Sequence, residues 1–150
     1  MKMYNHAFVP NNSRVYEVRY KDYRSFVTMS EESSGPLSSI LYTPENQYAA
    51  YIDGHFSSPI SQAVLTNLKI KLDDAPKKDK IRYVVELIAA TEAALAEDGR
   101  VETVKTSTHS SMAFIMGTMG WKESSRRGTL YDVEKSINED SIIIPERWDV

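Results

Sequence analysis

The chain of 150 residues is 41% hydrophobic and 26% charged, a balance typical of one globular domain. It contains no cysteine, which excludes disulfides, thiolate nucleophiles and zinc–thiolate sites. The net charge of −3 is carried by residues 136–150, and the neutral remainder argues against nucleic-acid binding, which needs a basic surface.

The sequence also argues against a membrane or metal-binding protein. No apolar run reaches the length of a membrane span, and the first residues lack the apolar block of a signal peptide. The three histidines have no metal-ligand spacing. We therefore expect a cytoplasmic protein with no membrane contact and no metal site.

The first third of the chain predicts strands around one short helix. Residues 1–13 are expected to be a loosely ordered arm, followed by a domain over residues 14–135. Apolar residues at helical spacing predict a short helix over residues 21–32, and Ser-Ser-Gly-Pro at 33–36 predicts a break. Residues 55–60 are expected to form a loop. Three segments alternate or are rich in β-forming residues and predict strands: 14–20, 37–42 and 47–52.

The central part of the chain predicts a β-α-β unit. Residues 63–70 are rich in β-forming residues, residues 81–98 carry apolar side chains at helical spacing, and residues 101–106 resume a period of two. Gly99 is suited to a left-handed helix end. Such a unit implies two parallel strands, and the splayed ends of parallel strands are where α/β proteins bind ligands.

The C-terminal third predicts a short helix and a hairpin. Thr108 or Ser107 is expected to cap a helix that ends at Gly120, with Trp121 as the buried start of the hairpin. Ser-Arg-Arg-Gly at 125–128 predicts the hairpin turn. Three methionines fall at helical spacing on this helix and suit either core packing or a pliable ligand wall: Met112, Met116 and Met119.

This order of elements resembles the GNAT N-acetyltransferase superfamily, most firmly over residues 63–133. The local match is His-Ser-Ser-Met-Ala-Phe-Ile-Met-Gly-Thr-Met-Gly-Trp at 109–121, which is similar to the family's short helix ending in glycine and an aromatic residue. The resemblance implies an α/β fold with a mixed central sheet, a long crossover helix, a short second helix and a C-terminal hairpin. It also implies acetyl-coenzyme A as cofactor and an amine as acyl acceptor.

Two departures from the family pattern indicate a degenerate member with an eroded acyl-coenzyme A loop. The family's turn before the long helix is rich in glycine, and its bare amides hold the pyrophosphate, whereas residues 74–83 contain no glycine. The family often has a tyrosine on the short helix as general acid, and here that position is Met116, which cannot donate a proton. Tyr83 and Tyr131 are the candidates for a displaced catalytic acid.

Three lysines lie where the crossover helix begins, and the resemblance would make them cofactor-binding residues. Cations are unfavourable at a helix N-terminus unless an anion binds there. Either these lysines hold the pyrophosphate by charge, or the segment is a solvated turn neutralised by nearby aspartates. The predicted cofactor-binding set is Lys77, Lys78, Lys80, Ile81 and His109.

The tail and the function keep alternatives open. Residues 136–150 combine acids with Ile-Ile-Ile-Pro and a tryptophan, so the tail either packs back on its own sheet or mediates self-association or binding to a protein partner. The first functional hypothesis is an N-acyltransferase. The second is a non-catalytic GNAT-like structural protein, because the region around Met119 is loosely similar to small GNAT-like proteins of tailed bacteriophages, some of them virion components. The third is a binder of a host protein.

Overall fold

The computed structural model describes residues 2–4, 12–138 and 142. In chain order the elements are β1 (Lys2–Tyr4), β2 (Ser13–Tyr20), β3 (Tyr23–Ser30), β4 (Ser34–Tyr42), β5 (Tyr48–Ser57), β6 (Gln62–Ile70), α1 (Lys77–Asp98), β7 (Thr103–Thr108), α2 (Ser110–Thr118), β8 (Lys122–Arg127) and β9 (Leu130–Ser136). The strands of the described residues join in one sheet, in the order β1-β2-β3-β4-β5-β6-β7-β9-β8. Every neighbouring pair is antiparallel except β6 and β7, which are parallel.

Strands β2 to β6 form a meander in which alternate side chains point to the hydrophobic core. On β3 the inward residues Ser25, Val27 and Met29 are buried, while their neighbours along the strand are half-exposed. This period of two is what a sheet with one covered face requires. The core therefore lies on one side of the sheet, and the other side is called the outer face below.

The predicted helix over residues 21–32 is wrong, because this segment is strand β3. Lys21 and Asp22 have φ angles of 45° and 70° and make a two-residue turn between β2 and β3. A turn with two positive φ angles matches the twist of a hairpin. The apolar side chains that suggest a helical face divide instead between the two faces of the sheet: Val27 and Met29 point inward and Phe26 points outward.

The predicted break at residues 33–36 is also absent, since β4 begins at Ser34 and includes Pro36. Proline fits because β3 pairs with β4 only from Leu37 onward, so no hydrogen bond from Pro36 to β3 is needed. The predicted loop over residues 55–60 is shorter than expected, because β5 continues to Ser57. The predicted strands over 14–20, 37–42, 47–52 and 63–70 are present with small shifts of their bounds.

Helix α1 is the crossover between the parallel strands and begins one turn earlier than predicted, at Lys77. It ends as predicted, at Gly99, whose φ of 82° is left-handed and whose amide donates to the Leu95 carbonyl at 3.1 Å. Leu87, Ile88 and other side chains of α1 pack into the same core as the inward residues of β2 to β7. The predicted β-α-β unit is thus confirmed, with β7 starting two residues later than expected.

Helix α2 lies on the same side of the sheet as α1. Its Met116 and the Met119 that follows it are buried in the common core with Trp121. Gly120 has a φ of 95°, which confirms it as the stop after the helix. The predicted cap is wrong: His109 occupies the N-cap position and no side chain bonds the first turn.

Both ends of the chain contact the sheet where they are described. Lys2–Tyr4 pairs with β2 as an edge strand, so these three residues of the segment expected as a loose arm belong to the sheet. Residues 1 and 5–11 of the predicted arm lie outside the described residues. Beyond β9, the Ile137 amide donates to the Glu102 carbonyl at 2.8 Å and Ile142 packs against the core. Residues 139–141 and 143–150 of the predicted tail lie outside the described residues. None of the described helices is both long and apolar enough to cross a membrane.

Candidate active site

The two parallel strands separate at their carboxyl ends. The β6–β7 ladder runs over four pairs, from Gln62 with Thr103 to Leu65 with Thr106, and then stops. Strand β6 continues to Ile70, so no strand of the described residues pairs with its β7-facing edge beyond that point. The Thr106 hydroxyl closes the ladder by donating to the Leu65 carbonyl at 2.8 Å.

A cleft of about 330 Å³ opens where the strands separate, between the sheet and the two helices. Its apolar wall comes from β5, β6, α1 and α2, and its polar residues come from the ends of β6 and β7. A concave, mostly apolar site with a few convergent polar groups is the usual form of a ligand-binding pocket. The lining residues that the argument uses are Leu68, Ile88, Met112, Met116, Thr106 and His109.

A β-bulge bends β6 at the cleft. The register with β5 shifts between Asp53, which pairs with Asn67, and Gly54, which pairs with Leu65, so Thr66 is the extra residue. A Cβ on Gly54 would lie 2.4 Å from the Val64 carbonyl oxygen, a distance that no side chain tolerates. Glycine at position 54 therefore permits the close strand approach that turns β6 away from β7.

The first turn of α1 carries the predicted lysines. Pro76 is the N-cap residue and no side chain caps the exposed amides of this turn. Lys77 and Lys78 are exposed, and Lys80 is half-exposed. These three lysines and the half-buried Ile81 do not line the cleft, which reaches α1 at Ile88.

Helix α2 contributes one predicted site residue. His109 lines the cleft at the N-terminus of α2, so it is the one member of the predicted cofactor set that the structure places there. Met116, at the position where the family often has a tyrosine, is 1% exposed and forms part of the cleft wall. Met116 and Met119 thus pack in the core as one alternative predicted, and Met112 and Met116 line the cleft, where a role as ligand wall stays a prediction.

The two candidate tyrosines lie in different places. Tyr83 is buried on α1, and the centroid of its ring lies 6.4 Å from that of Tyr23 in an edge contact. Burial raises the pKa of Tyr83. Tyr83 is not among the residues that line the cleft, so it is not positioned to act there. Tyr131 is half-buried on β9 and pairs in register with Thr108 at the mouth of the cleft. The Arg126 guanidinium lies 4.1 Å above its ring. Only Tyr131 remains near the site.

A buried ion pair ties α1 to β9 and to the residue that follows α2. The Lys135 ammonium lies 2.5 Å from Glu92 on α1 and donates to the Met119 carbonyl at 2.6 Å. The Trp121 indole donates to the same carboxylate at 3.3 Å. Burial raises the pKa of Glu92, and the hydrogen bonds from Lys135 and Trp121 oppose this rise. The pair holds the helix carrying Met116 against the crossover helix.

A second polar cluster lies on the outer face beside the gap. Asp132 accepts hydrogen bonds from Arg127 at 3.0 and 3.1 Å and from Ser107 and Ser125 at 2.5 Å each. The bonds from Arg127, Ser107 and Ser125, in that order, hold the pKa of Asp132 well below its ordinary value. The cluster fixes the β8–β9 hairpin against β7. It could not be recognised from the sequence, because Ser107 lies 25 residues before Asp132 and joins it only through the pairing of β7 with β9.

Sequence reasoning missed most of the cleft wall. Thr66, Thr106 and Ile88 belong to segments read only as strand or helix, and their convergence depends on where the ladder stops. Among the described residues, no group of three acidic or histidine side chains is close enough to hold a metal ion.

Comparisons with known proteins agree with this architecture. No protein-family model matches the chain, and no curated protein sequence does. Among solved structures, the Escherichia coli ribosomal-protein-S18-alanine N-acetyltransferase aligns with a TM-score of 0.55 at 15% identity, over 75% of this chain and 73% of that one. An acetyltransferase from Bacillus cereus ATCC 14579 aligns with a TM-score of 0.55 at 14% identity, over 69% and 74%.

A third similar structure is a GNAT domain. The GNAT domain of S. lividans PAT aligns with a TM-score of 0.51 at 10% identity, over 68% of this chain and 61% of that one. The chain has the GNAT fold. Within this GNAT fold, the cleft lies at the split between the two parallel strands. The short helix predicted over residues 21–32 is missing among the described residues, because this segment belongs to the β2–β3 hairpin.

Proposed function

We propose that the chain is an N-acyltransferase that binds acyl-coenzyme A in the cleft between β6 and β7 and transfers the acyl group to an amine. The observation that carries the proposal is the unpaired edge of β6 beyond Leu65, which faces an apolar cleft between two helices. An extended chain that contains amides can hydrogen-bond to such an edge as an added strand would. The acyl-bearing arm of coenzyme A has this chemistry.

Each part of the site has a role in this proposal. The side chains of Leu68, Ile88 and Met112 cover the arm and exclude water from it. The uncapped first turn of α1, with Lys77 and Lys78 exposed, meets the phosphates at the other end of the ligand. Lysine charge replaces the amide cradle that a glycine-rich loop would provide.

The reaction needs little from the protein beyond positioning. Bound acyl-coenzyme A supplies an activated thioester, which an uncharged amine attacks directly when it is held beside it. His109, at the cleft mouth, is the group placed to accept a proton from the incoming amine. Tyr131, which pairs with Thr108 at the cleft mouth, is the proposed proton donor to the departing thiolate.

A non-catalytic binding protein is the second candidate, and Met116 favours it. A thioether in the cleft wall donates no proton, and Tyr131 is not among the described residues that line the cleft. Saturable binding of acetyl-coenzyme A without turnover of any amine would identify this function. A bacteriophage virion component and a binder of a host protein are particular forms of it.

Calorimetry with acetyl-coenzyme A tests the proposal. We expect saturable binding to the wild type and at least tenfold weaker binding after Met112→Trp, which fills the cleft. Phe114→Trp is the matched control, because Phe114 lies on the same helix, is 70% exposed and does not line the cleft. Replacing Lys77, Lys78 and Lys80 together with alanine should weaken binding and reduce its salt dependence. Absence of heat at millimolar acetyl-coenzyme A would eliminate the function.

A further inference from the structure

The outer face of the sheet has no helix layer among the described residues. Both helices join the single core on the opposite side, where Lys135 contacts Glu92 of α1 and Met119 at the end of α2. The segment predicted as a short helix, residues 21–32, is part of the β2–β3 hairpin and supplies no helix to this face. Side chains that point outward from strands β3 to β6 are therefore left without a covering layer of described residues.

The gap between β6 and β7 opens onto this face as well. A hollow of about 480 Å³ on the outer side shares four residues with the cleft on the helix side: Leu65, Thr66, Thr106 and Ser107. The two hollows border the same strand ends, at the point where the ladder stops. An acyl group held at the inner end of the cleft is thus within reach of an amine that approaches from the outer face.

An aromatic patch with stacked cations lies next to this opening. The ring centroids of Phe26 and Tyr42 are 6.0 Å apart, and those of Tyr42 and Tyr48 are 5.9 Å apart. Arg24 lies over the rings of Phe26 and Tyr42, and Lys71 lies over Tyr48 and Tyr51. Aromatic and arginine side chains are the groups that most often anchor a protein partner.

The patch and the opening are separated by a peptide-sized distance. Tyr51 pairs with Lys69, and Thr66 lies three residues before Lys69 on β6, which corresponds to about 10 Å of strand. Asn67 bridges this interval, with its amide 3.5 Å from the Tyr51 hydroxyl. A small amine in the outer hollow would not reach the aromatic rings, whereas an extended segment of about five residues would cover both.

The charge of the patch selects an acidic segment. On the outer face of β3 to β6 and in the residue after β6, the described cations are Arg24, Lys69 and Lys71, and the described carboxylate is Asp53. This local excess of positive charge contrasts with the overall charge of −3. Complementary charge steers a partner and fixes its orientation on a surface.

We propose that the acyl acceptor is an amine on a polypeptide whose neighbouring residues are acidic, and that this polypeptide lies across the outer face with its acidic residues against the patch. The inference rests on the proposed acyltransferase function for its chemical step. In that step the amine nitrogen forms a bond to the acyl carbon, the bond to sulfur breaks, and the proton lost by the amine leaves with the thiol or through His109. The docking step depends only on the outer face.

Two octapeptides of equal length provide the test. Both carry a free amino terminus, and one has three glutamates after its second residue where the other has three lysines; glucosamine serves as the small acceptor. We expect acyl transfer to the acidic peptide with kcat/KM at least tenfold above that of the basic peptide and of glucosamine. The double variant Lys69→Glu, Lys71→Glu should reverse the preference between the peptides. Lys122→Glu, an exposed lysine on β8, should leave the preference unchanged.

A binding measurement separates this inference from the proposed function. The acidic peptide with a blocked, fluorescent amino terminus is titrated with the protein in the absence of acetyl-coenzyme A. Saturable binding that the double variant weakens at least tenfold supports the docking surface. If the acidic peptide binds in this way but its free-amine form accepts no acyl group when acetyl-coenzyme A is added, the acceptor role is overturned. Faster transfer to glucosamine than to either peptide, or equal transfer to both peptides, overturns the inference while the acyltransferase function stands.

Discussion

Replacing Lys135 by methionine should destabilise the protein in a way that depends on pH. Methionine keeps most of the packing volume but leaves the Glu92 carboxylate, itself 1% exposed, without its cation at 2.5 Å. Removing one partner of a buried ion pair typically costs about 3–5 kcal/mol. The Trp121 indole remains as a single donor to the carboxylate, at 3.3 Å.

Protonation of Glu92 sets an upper limit on this cost. A carboxyl group with an ordinary pKa near 4.3 can be protonated at pH 7 for about 3.7 kcal/mol, and at pH 5 for about 1 kcal/mol. The folded protein would then hold a proton that the unfolded chain releases, so the free energy of unfolding falls by about 1.4 kcal/mol for each pH unit above 4.3. The fall ends at the raised pKa of the folded state. Stability relative to the wild type should therefore be lost as the pH rises.

Urea denaturation of the wild type and Lys135→Met at pH 5 and pH 7, followed by tryptophan fluorescence, measures the effect. The double variant Glu92→Gln, Lys135→Met is the control, because a neutral amide removes the buried charge and should recover most of the loss at pH 7. A loss below about 1 kcal/mol at pH 7, or a loss that is equal at both pH values, would refute the assignment of an ionised buried pair.

Three further results are expected. Gly54→Ala should lower the free energy of unfolding by about 1–3 kcal/mol, because its Cβ would lie 2.4 Å from the Val64 carbonyl oxygen. The control is Gly117→Ala on α2, which has open space around it and should be neutral or stabilising. Thermal denaturation of both variants measures the difference, and equal effects would contradict the tight bulge. Burial opposes ionisation of Asp98, but hydrogen bonds from Arg100 and Tyr16 outweigh it and lower the pKa of Asp98, so its contribution to stability is present above pH 4 and lost as the pH falls through the lowered pKa. Asp98→Asn should be less stable than the wild type at pH 7, and its free energy of unfolding should change less between pH 4 and 2. An unchanged dependence of stability on pH in that range would speak against the network. If His109 accepts the amine proton, His109→Ala should reduce kcat by about 10²-fold, whereas Tyr83→Phe should leave kcat unchanged; a kcat unaltered by His109→Ala would exclude that role.

The β-α-β unit could be predicted from the sequence, whereas the β2–β3 hairpin could not. The β-α-β unit was predictable because residues 81–98 keep helical spacing over many turns and Gly99 marks their end. Strand β3 was mistaken for a helix because Phe26, Val27 and Met29 fit either period over so short a segment. Lys21 and Asp22 form the deciding turn without glycine, so the usual signal of a tight hairpin is missing.

The candidate site was only partly accessible from sequence, for a geometric reason. His109 was found because it begins the helix of the family-like motif, and it lies at the cleft. Lys77, Lys78 and Lys80 were inferred from charge at a helix start and remain a prediction. Thr66 and Thr106 could not be singled out, because the bulge and the end of the ladder depend on the approach of β5 to β6 at Gly54, which no local pattern encodes.

The short parallel ladder affects the order in which parts of the molecule fold. Strands β2 to β6 meet through connections of a few residues, so each hairpin can form from nearby parts of the chain. The four pairs of β6 with β7 join segments that the whole of α1 separates. Closing that long loop costs conformational entropy, which is offset only when the core contacts have formed. We therefore expect the binding cleft to be the last part of the sheet to form and the first to open, so amide hydrogen exchange should be fastest at Thr103–Thr108 among the central strands.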